Sequence, residues 1–158
     1  MRDARDAPGI HVPPPVILAA GFLVGYGIHW LAPISFYPER LNPIAEVSGI
    51  VILIAGLLLS FWGFFTFVRA RTGVLPGHAV KRLVTHGPYR LSRNPMYTGM
   101  CLIYLGVCLL LNLLWPVLLL PLSMWGLWKL VIEKEEAFLE DKYGSEYEAF
   151  RERTRRWL

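Results

Sequence analysis

Three long stretches of this 158-residue chain carry no charged side chain, and they constrain its fold more than any other feature. They are residues 7–38, 47–68 and 94–128, which are 32, 22 and 35 residues long. A helix needs about 20 apolar residues to cross the hydrocarbon core of a bilayer, so the first two stretches hold one span each. At ~1.5 Å per residue the third would reach about 52 Å, which is too far for one crossing. We therefore predict an integral membrane protein in which the third stretch forms a helical hairpin that turns near Asn112 and Pro116.

The composition agrees with this class. The chain is 54% hydrophobic and 18% charged, against a charged share of about 25% in soluble domains. We predict one all-α membrane domain over residues 1–158 with four transmembrane helices, a loop over residues 71–94, and a C-terminal helical extension over residues 132–158. The expected spans are approximately residues 16–32, 44–70, 95–111 and 115–131.

The distribution of basic residues predicts the orientation. With four spans, 15 of the 16 Lys and Arg side chains lie on one side of the membrane, and Arg40 alone lies on the other. The positive-inside rule places both termini, the loop and the extension in the cytoplasm. A net charge of +4 is therefore explained by membrane topology, and we expect the bilayer, not a nucleic acid, as the partner.

Polar side chains concentrate in the loop and in the extension, so both lie on the same predicted side. Lys129, Glu133 and Glu136 are spaced i, i+4, i+7 and share one face of an α-helix. Lys129 and Glu133 adjoin the apolar span, where burying a charge is costly, so we expect them to be functional. Lys134 and Glu135 are expected to be solvated.

Other site chemistries find little support in the sequence. The loop contains His78 and His86, but two histidines without a zinc-binding spacing do not predict a metal site. Cys101 and Cys108 are separated by about 10 Å of helical rise, beyond disulfide reach, so we expect them to be packing residues. Walker A and Rossmann glycine motifs are missing from the sequence.

Three motifs make the two polar segments recognisable. They read LVTHGPY over residues 83–89, RNPMYTG over residues 93–99 and EKEEAFLEDKYGSEY over residues 133–147. In order and spacing they resemble the isoprenylcysteine carboxyl methyltransferase and phospholipid methyltransferase superfamily. The resemblance covers roughly residues 69–158.

The resemblance implies S-adenosylmethionine as the cofactor, and it supplies candidate site residues. Lys129 falls where the isoprenylcysteine enzymes place a substrate-binding arginine, and Glu133 is the nearest base for an amine acceptor, so these two are the candidate catalytic residues. We add charged neighbours because of the groups that the cofactor carries. Its carboxylate suits Arg93 or the backbone N–H groups at the start of the third span, and its ammonium and ribose suit Glu133 or Glu136. The predicted cofactor site comprises Lys81, Arg82, Leu83, Val84, Tyr89, Arg93, Asn94, Pro95, Tyr97, Glu133 and Glu136.

The expected function is methyl transfer to a lipophilic small molecule, a lipid head group or an isoprenylcysteine-like carboxylate. Lys129 in place of arginine and Asn94 in place of the motif histidine weaken the case for isoprenylcysteine itself, because lysine lacks the bidentate grip of arginine on a carboxylate. The asparagine form occurs in many bacterial members, so we expect a bacterial inner membrane. Two alternatives stay open: an NADPH-dependent membrane reductase of the related sterol-reductase type, and a non-catalytic membrane protein with the same fold.

Overall fold

A computed structural model describes residues 9–10, 12–37, 43–71 and 82–158. Within these ranges every regular element is helical, in agreement with the predicted all-α class. A 3₁₀ turn lies at Gly87–Arg90, and a π-helical turn lies at Trp128–Ile132. The α-helices are α1 (Pro14–Leu31), α2 (Pro43–Ala70), α3 (Pro95–Leu110), α4 (Leu114–Leu127), α5 (Glu133–Tyr143) and α6 (Ser145–Arg153).

Three helices are long and apolar enough to cross a membrane. They are α1, α2 and the continuous helix Leu114–Tyr143, which comprises α4, the π turn and α5. The third predicted span, residues 95–111, corresponds to α3, which has 16 residues and is therefore only ~24 Å long. The four-span prediction is thus confirmed by length for three helices and not for α3. The predicted hairpin is present, with its turn at residues 111–113.

Glycines bring α2 and α3 into backbone contact. Gly49, Gly56 and Gly63 are the buried glycines of α2, and they recur every seven residues along the face that meets α3. A Cβ atom on Gly56 would lie 2.7 Å from both the carbonyl oxygen of Gly99 and the amide nitrogen of Ile103. Such close approach is the usual packing device in lipid, where helices gain little from hydrophobic burial against each other.

Hydrogen bonds of Asn112 hold the end of the bundle at which the α3–α4 hairpin turns. Asn112 adopts a left-handed conformation, with φ of 54°. Its Oδ1 accepts the Phe36 amide at 2.8 Å, and its Nδ2 donates to the Tyr37 carbonyl at 3.0 Å. The α3–α4 turn is thereby fastened to the segment that follows α1, and α1 packs along α4.

The π turn decides which face of α5 meets the rest of the protein. The Glu133 amide donates to the Trp128 carbonyl five residues earlier, so this turn holds one residue more than an α-helical turn. In an α-helix, residues spaced four apart are rotated about the helix axis by about 40° per step. The one extra residue of the π turn reverses that rotation by about 100°. Buried Leu127 and Val131 therefore share a face with Glu135 and with Leu139, which packs on the cluster around Tyr147.

Gly144 ends α5 in a left-handed conformation, with φ of 50°, as a C-terminal glycine commonly does. The chain then reverses into α6, which ends at Arg153. Tyr147, Phe150 and Thr154 are spaced i, i+3, i+7, and all three are buried. This face rests against the loop residues Val84 and Tyr89.

We predict that Gly56→Ala lowers the free energy of unfolding by about 1–3 kcal/mol, because the added methyl group must push α3 away from α2. The measurement is thermal unfolding in detergent. Gly27→Ala is the matched control, since Gly27 is also helical and a Cβ there meets nothing within 4 Å. Equal melting temperatures for the two variants would contradict the proposed contact.

Candidate functional site

The polar residues of the loop, the start of α3 and α5 meet at one end of the bundle. Two contacts join this part of the chain to α5. Tyr97 of α3 contacts Glu135, and Arg93, which lies two residues before α3, contacts Glu136. The segment after α6, residues 154–158, lies across the same place. The structure therefore brings together two parts of the sequence that are about 40 residues apart.

Glu135 lies inside this site. The Tyr97 hydroxyl, on a side chain that is buried, donates to Glu135 Oε1 at 2.7 Å. Burial, followed by the nearby Glu135 carboxylate, raises the pKa of Tyr89 well above its usual range. The prediction that Lys134 and Glu135 are both solvated is right for Lys134, which is exposed, and wrong for Glu135, which is half-buried and bound to Tyr97. The reason is the π turn, which rotates α5 relative to α4.

Glu136 is shared by two arginines. Arg156 Nε and Nη2 donate to its two carboxylate oxygens at 3.0 and 2.7 Å, in a forked arrangement. Arg93 Nη2 lies 3.3 Å from Oε1, and the Arg93 side chain is only 10% exposed. The Nε and Nη1 atoms of Arg93 are buried with no hydrogen-bond partner among the described residues. Both are donors, so the group that would satisfy them is an acceptor, and an anion suits a guanidinium best.

Tyr147 from α6 lies beside this cluster and is 1% exposed. Burial is the main cause that raises the pKa of its phenol to about 12, and the Glu136 carboxylate adds to it. Arg93 acts in the opposite direction, through its charge and through a hydrogen bond to the phenol. The pKa of Arg156 is raised, chiefly by its hydrogen bonds to Glu136. Arg156 thus remains a cation at neutral pH.

The candidate catalytic pair lies at the edge of the site. Lys129 Nζ is 2.7 Å from Glu133 Oε1, and both side chains are 41% exposed. Lys129 Nζ is also 4.5 Å from the centre of the Trp128 ring, which Arg156 approaches at 5.2 Å. The two residues are therefore together, as their spacing predicted, but they face outward from the contact between α3 and α5.

The motif residues of the loop form the apolar side of the site. Val84 and Tyr89 are buried against Tyr147 and Phe150, and Leu83 packs on the same cluster. Arg82 is exposed. Lys81, also predicted to bind the cofactor, lies outside the described residues.

The start of α3 carries two further predicted cofactor residues. Pro95 is buried at the first helical position, where its missing N–H costs nothing. The Asn94 side chain does not cap the helix, and its Nδ2 is 3.4 Å from the carbonyl oxygen of Arg156.

Sequence reasoning missed two residues of this neighbourhood besides Glu135. Arg156 lies in a basic run with no periodic signal, and its role depends on how the chain returns after α6. Ser92 is fully buried, and its Oγ accepts the Asn94 amide at 3.1 Å and donates to the Arg156 carbonyl at 2.9 Å. Its position directly before the RNP motif was the available sign.

The fold and the site define a multi-pass helical membrane protein with a polar site at one end. The Phospholipid methyltransferase family model matches residues 44–146, and the chain belongs to this family and to the superfamily that the motifs indicate. It is 31% identical over 108 residues to a probable protein-S-isoprenylcysteine O-methyltransferase from Oryza sativa subsp. indica, which covers 67% of this chain and 56% of the rice protein. It is 37% identical over 72 residues to the protein-S-isoprenylcysteine O-methyltransferase of Schizosaccharomyces pombe, which covers 46% and 30%.

The chain thus spans little more than half the length of the rice protein that it matches. No solved structure matches the chain.

We predict that the Tyr97–Glu135 hydrogen bond couples α3 to α5. Tyr97→Phe should lower the free energy of unfolding by about 1–3 kcal/mol, because it leaves a partly desolvated carboxylate without its donor. Glu135→Gln should cost less in the Tyr97→Phe background than in the wild type, by about 1 kcal/mol or more. Additive losses in this double-mutant cycle, measured by denaturation in detergent, would show that the two groups are not coupled.

We predict a loss of stability at alkaline pH that Tyr147 contributes. Its phenol has a pKa of about 12 in the folded protein and about 10 when unfolded. The stabilisation is therefore complete below pH 10 and decreases as the pH rises towards 12, by about 2–3 kcal/mol in all. Tyr147→Phe should flatten the dependence of the unfolding free energy on pH above pH 10. Parallel curves for the variant and the wild type would contradict this assignment.

Proposed function

We propose that this chain is an S-adenosylmethionine-dependent methyltransferase that acts on a lipophilic small molecule or a lipid head group at the cytoplasmic end of its helical bundle. Membership of the family and the printed names of the relatives support the reaction class. The apolar helices support a membrane-bound acceptor. The basic residues, 15 of which the predicted topology collects on one side, support the cytoplasmic orientation.

The observation that carries the cofactor assignment is the guanidinium of Arg93. This guanidinium is buried and shares the Glu136 carboxylate with Arg156. Two of its donor atoms, Nε and Nη1, have no acceptor among the described residues. The carboxylate of the cofactor's amino-acid end fits this requirement in charge and in its capacity for two hydrogen bonds. The N-terminus of α3, which begins two residues later without a side-chain cap, favours an anion at the same place.

The other groups of the cofactor also find partners here. The ammonium and the ribose hydroxyls need acceptors, and Glu135 is the carboxylate that lies against Tyr97 and near Tyr89. We assign Glu135 the acceptor role that was predicted for Glu133 and Glu136, because Arg156 holds both oxygens of Glu136 and Glu133 is paired with Lys129. The aromatic rings of Tyr89 and Tyr97 suit an adenine or a cationic sulfonium.

When bound, the cofactor supplies an electrophilic methyl group. The work of the chain is to align the acceptor with that methyl group and to exclude water. Lys129 and Glu133 lie where the apolar helix α4 passes into polar α5, so they are placed to hold a polar head group. Lys129 offers a cation to an anionic head group, and Glu133 offers a carboxylate to an ammonium.

We predict that S-adenosylhomocysteine stabilises the purified protein in detergent, and that Arg93→Ala weakens its binding by about 10-fold or more, as expected for the loss of a charge-assisted hydrogen bond. 5′-Methylthioadenosine, which lacks the amino-acid end, should bind the wild type and the variant about equally. The affinity of Arg93→Lys for S-adenosylhomocysteine should lie between those of the wild type and Arg93→Ala, because lysine keeps the charge and loses the forked hydrogen bonds. The measurements are isothermal titration calorimetry and thermal shift.

Arg90→Ala is the matched control, since Arg90 belongs to the same loop and is exposed. A wild-type protein that S-adenosylhomocysteine does not stabilise, but NADPH does, would replace the proposal by the reductase alternative. Stabilisation by neither ligand would favour a non-catalytic protein.

A further inference from the structure

The segment after α6 is fixed to the site by its backbone. We call residues 154–158 the strap. The Arg93 amide donates to the carbonyl oxygen of Arg155 at 2.8 Å, and Ser92 Oγ donates to that of Arg156 at 2.9 Å. Trp157 packs against the buried clusters around Cys101 and Leu127. Backbone hydrogen bonds and Trp157 therefore hold the strap in addition to the contacts of the Arg156 side chain.

That side chain competes with Arg93 for one carboxylate. Arg156 takes both oxygens of Glu136 in a fork at 3.0 and 2.7 Å, whereas Arg93 makes a single contact at 3.3 Å. Arg93 is nevertheless the more buried of the two arginines, with 10% of its side chain exposed against 32% for Arg156. A desolvated cation gains more from a carboxylate than an exposed one does. Without Arg156, Glu136 would therefore turn towards Arg93 and accept hydrogen bonds from those Arg93 donors that are now unpaired.

We propose that Arg156 is a positioning residue, which occupies Glu136 and thereby keeps the guanidinium of Arg93 open for the carboxylate of the cofactor. This inference rests on the proposed function. It adds the strap to the site and gives Glu136 an indirect role in cofactor binding. The cluster of Arg93, Arg156 and Glu136 carries one net positive charge, which a second anion would neutralise. Arg156 determines at which of the two arginines that anion binds.

The test compares two ligands that differ at the end in question. Arg156→Ala should weaken binding of S-adenosylhomocysteine by about 10-fold, because Glu136 then neutralises Arg93. Binding of 5′-methylthioadenosine should stay unchanged, because it has no carboxylate. Adding Glu136→Gln to Arg156→Ala removes the competitor, and it should restore the affinity for S-adenosylhomocysteine to within about threefold of the wild type.

Two further variants complete the set. Arg155→Ala changes an exposed side chain of the same strap and should leave both affinities as they are. Arg156→Lys keeps the charge without the fork, and it should give a smaller loss for S-adenosylhomocysteine alone. It replaces Arg156→Ala in the comparison if that variant does not fold.

The outcomes separate the two proposals. Equal losses for both ligands in Arg156→Ala would mean that Arg156 merely supports the fold, and unchanged binding of S-adenosylhomocysteine would also overturn the inference. A loss that Glu136→Gln does not restore would show that Arg156 contacts the ligand itself. In each of these cases the wild type still binds the ligand, so the proposed function stands. Failure of the wild type to bind S-adenosylhomocysteine would remove both.

Discussion

The contact between the start of α3 and the polar helix α5 is the constraint on which the site depends. It consists of a phenol that donates to Glu135 and of two guanidinium groups around Glu136. Charged groups beside an apolar bundle are tolerated only when they are paired, so this end of α5 is held in one position and one rotation. The loop residues and α6 then pack on the polar contact from the other side.

The charge-free stretches were sufficient to predict the helices. α2 and α3 begin and end within a residue of the predicted limits, and the hairpin turns at Asn112 as expected. These features follow from local sequence, because a proline, a charge or an uncharged run of fixed length marks each boundary. Three of the predicted site residues, Arg93, Tyr97 and Glu136, lie in the central contact, since the sequence motifs before α3 and in α5 contain them.

The parts that could not be predicted depend on a single irregular turn and on the return of the chain. A helical wheel drawn from Lys129 with a constant period places Glu133 and Glu136 on one face and leaves Glu135 outside it. The π turn at Trp128–Ile132 adds a residue and turns Glu135 towards Tyr97. No residue pattern announces such a turn, although π turns are frequent at functional sites. The place of Arg156 depends on tertiary packing around Trp157, which local sequence does not encode.

The glycine contacts of α2 and α3 bear on how the bundle can move. With a carbonyl oxygen of one helix in the space that a methyl group would need on the other, the two helices share backbone surfaces and cannot slide without breaking many van der Waals contacts at once. The two helices therefore form one tightly packed pair. Among the described helices, a movement that admits a ligand would then occur along the boundary with the α1–α4 pair, or in the packing of Trp157.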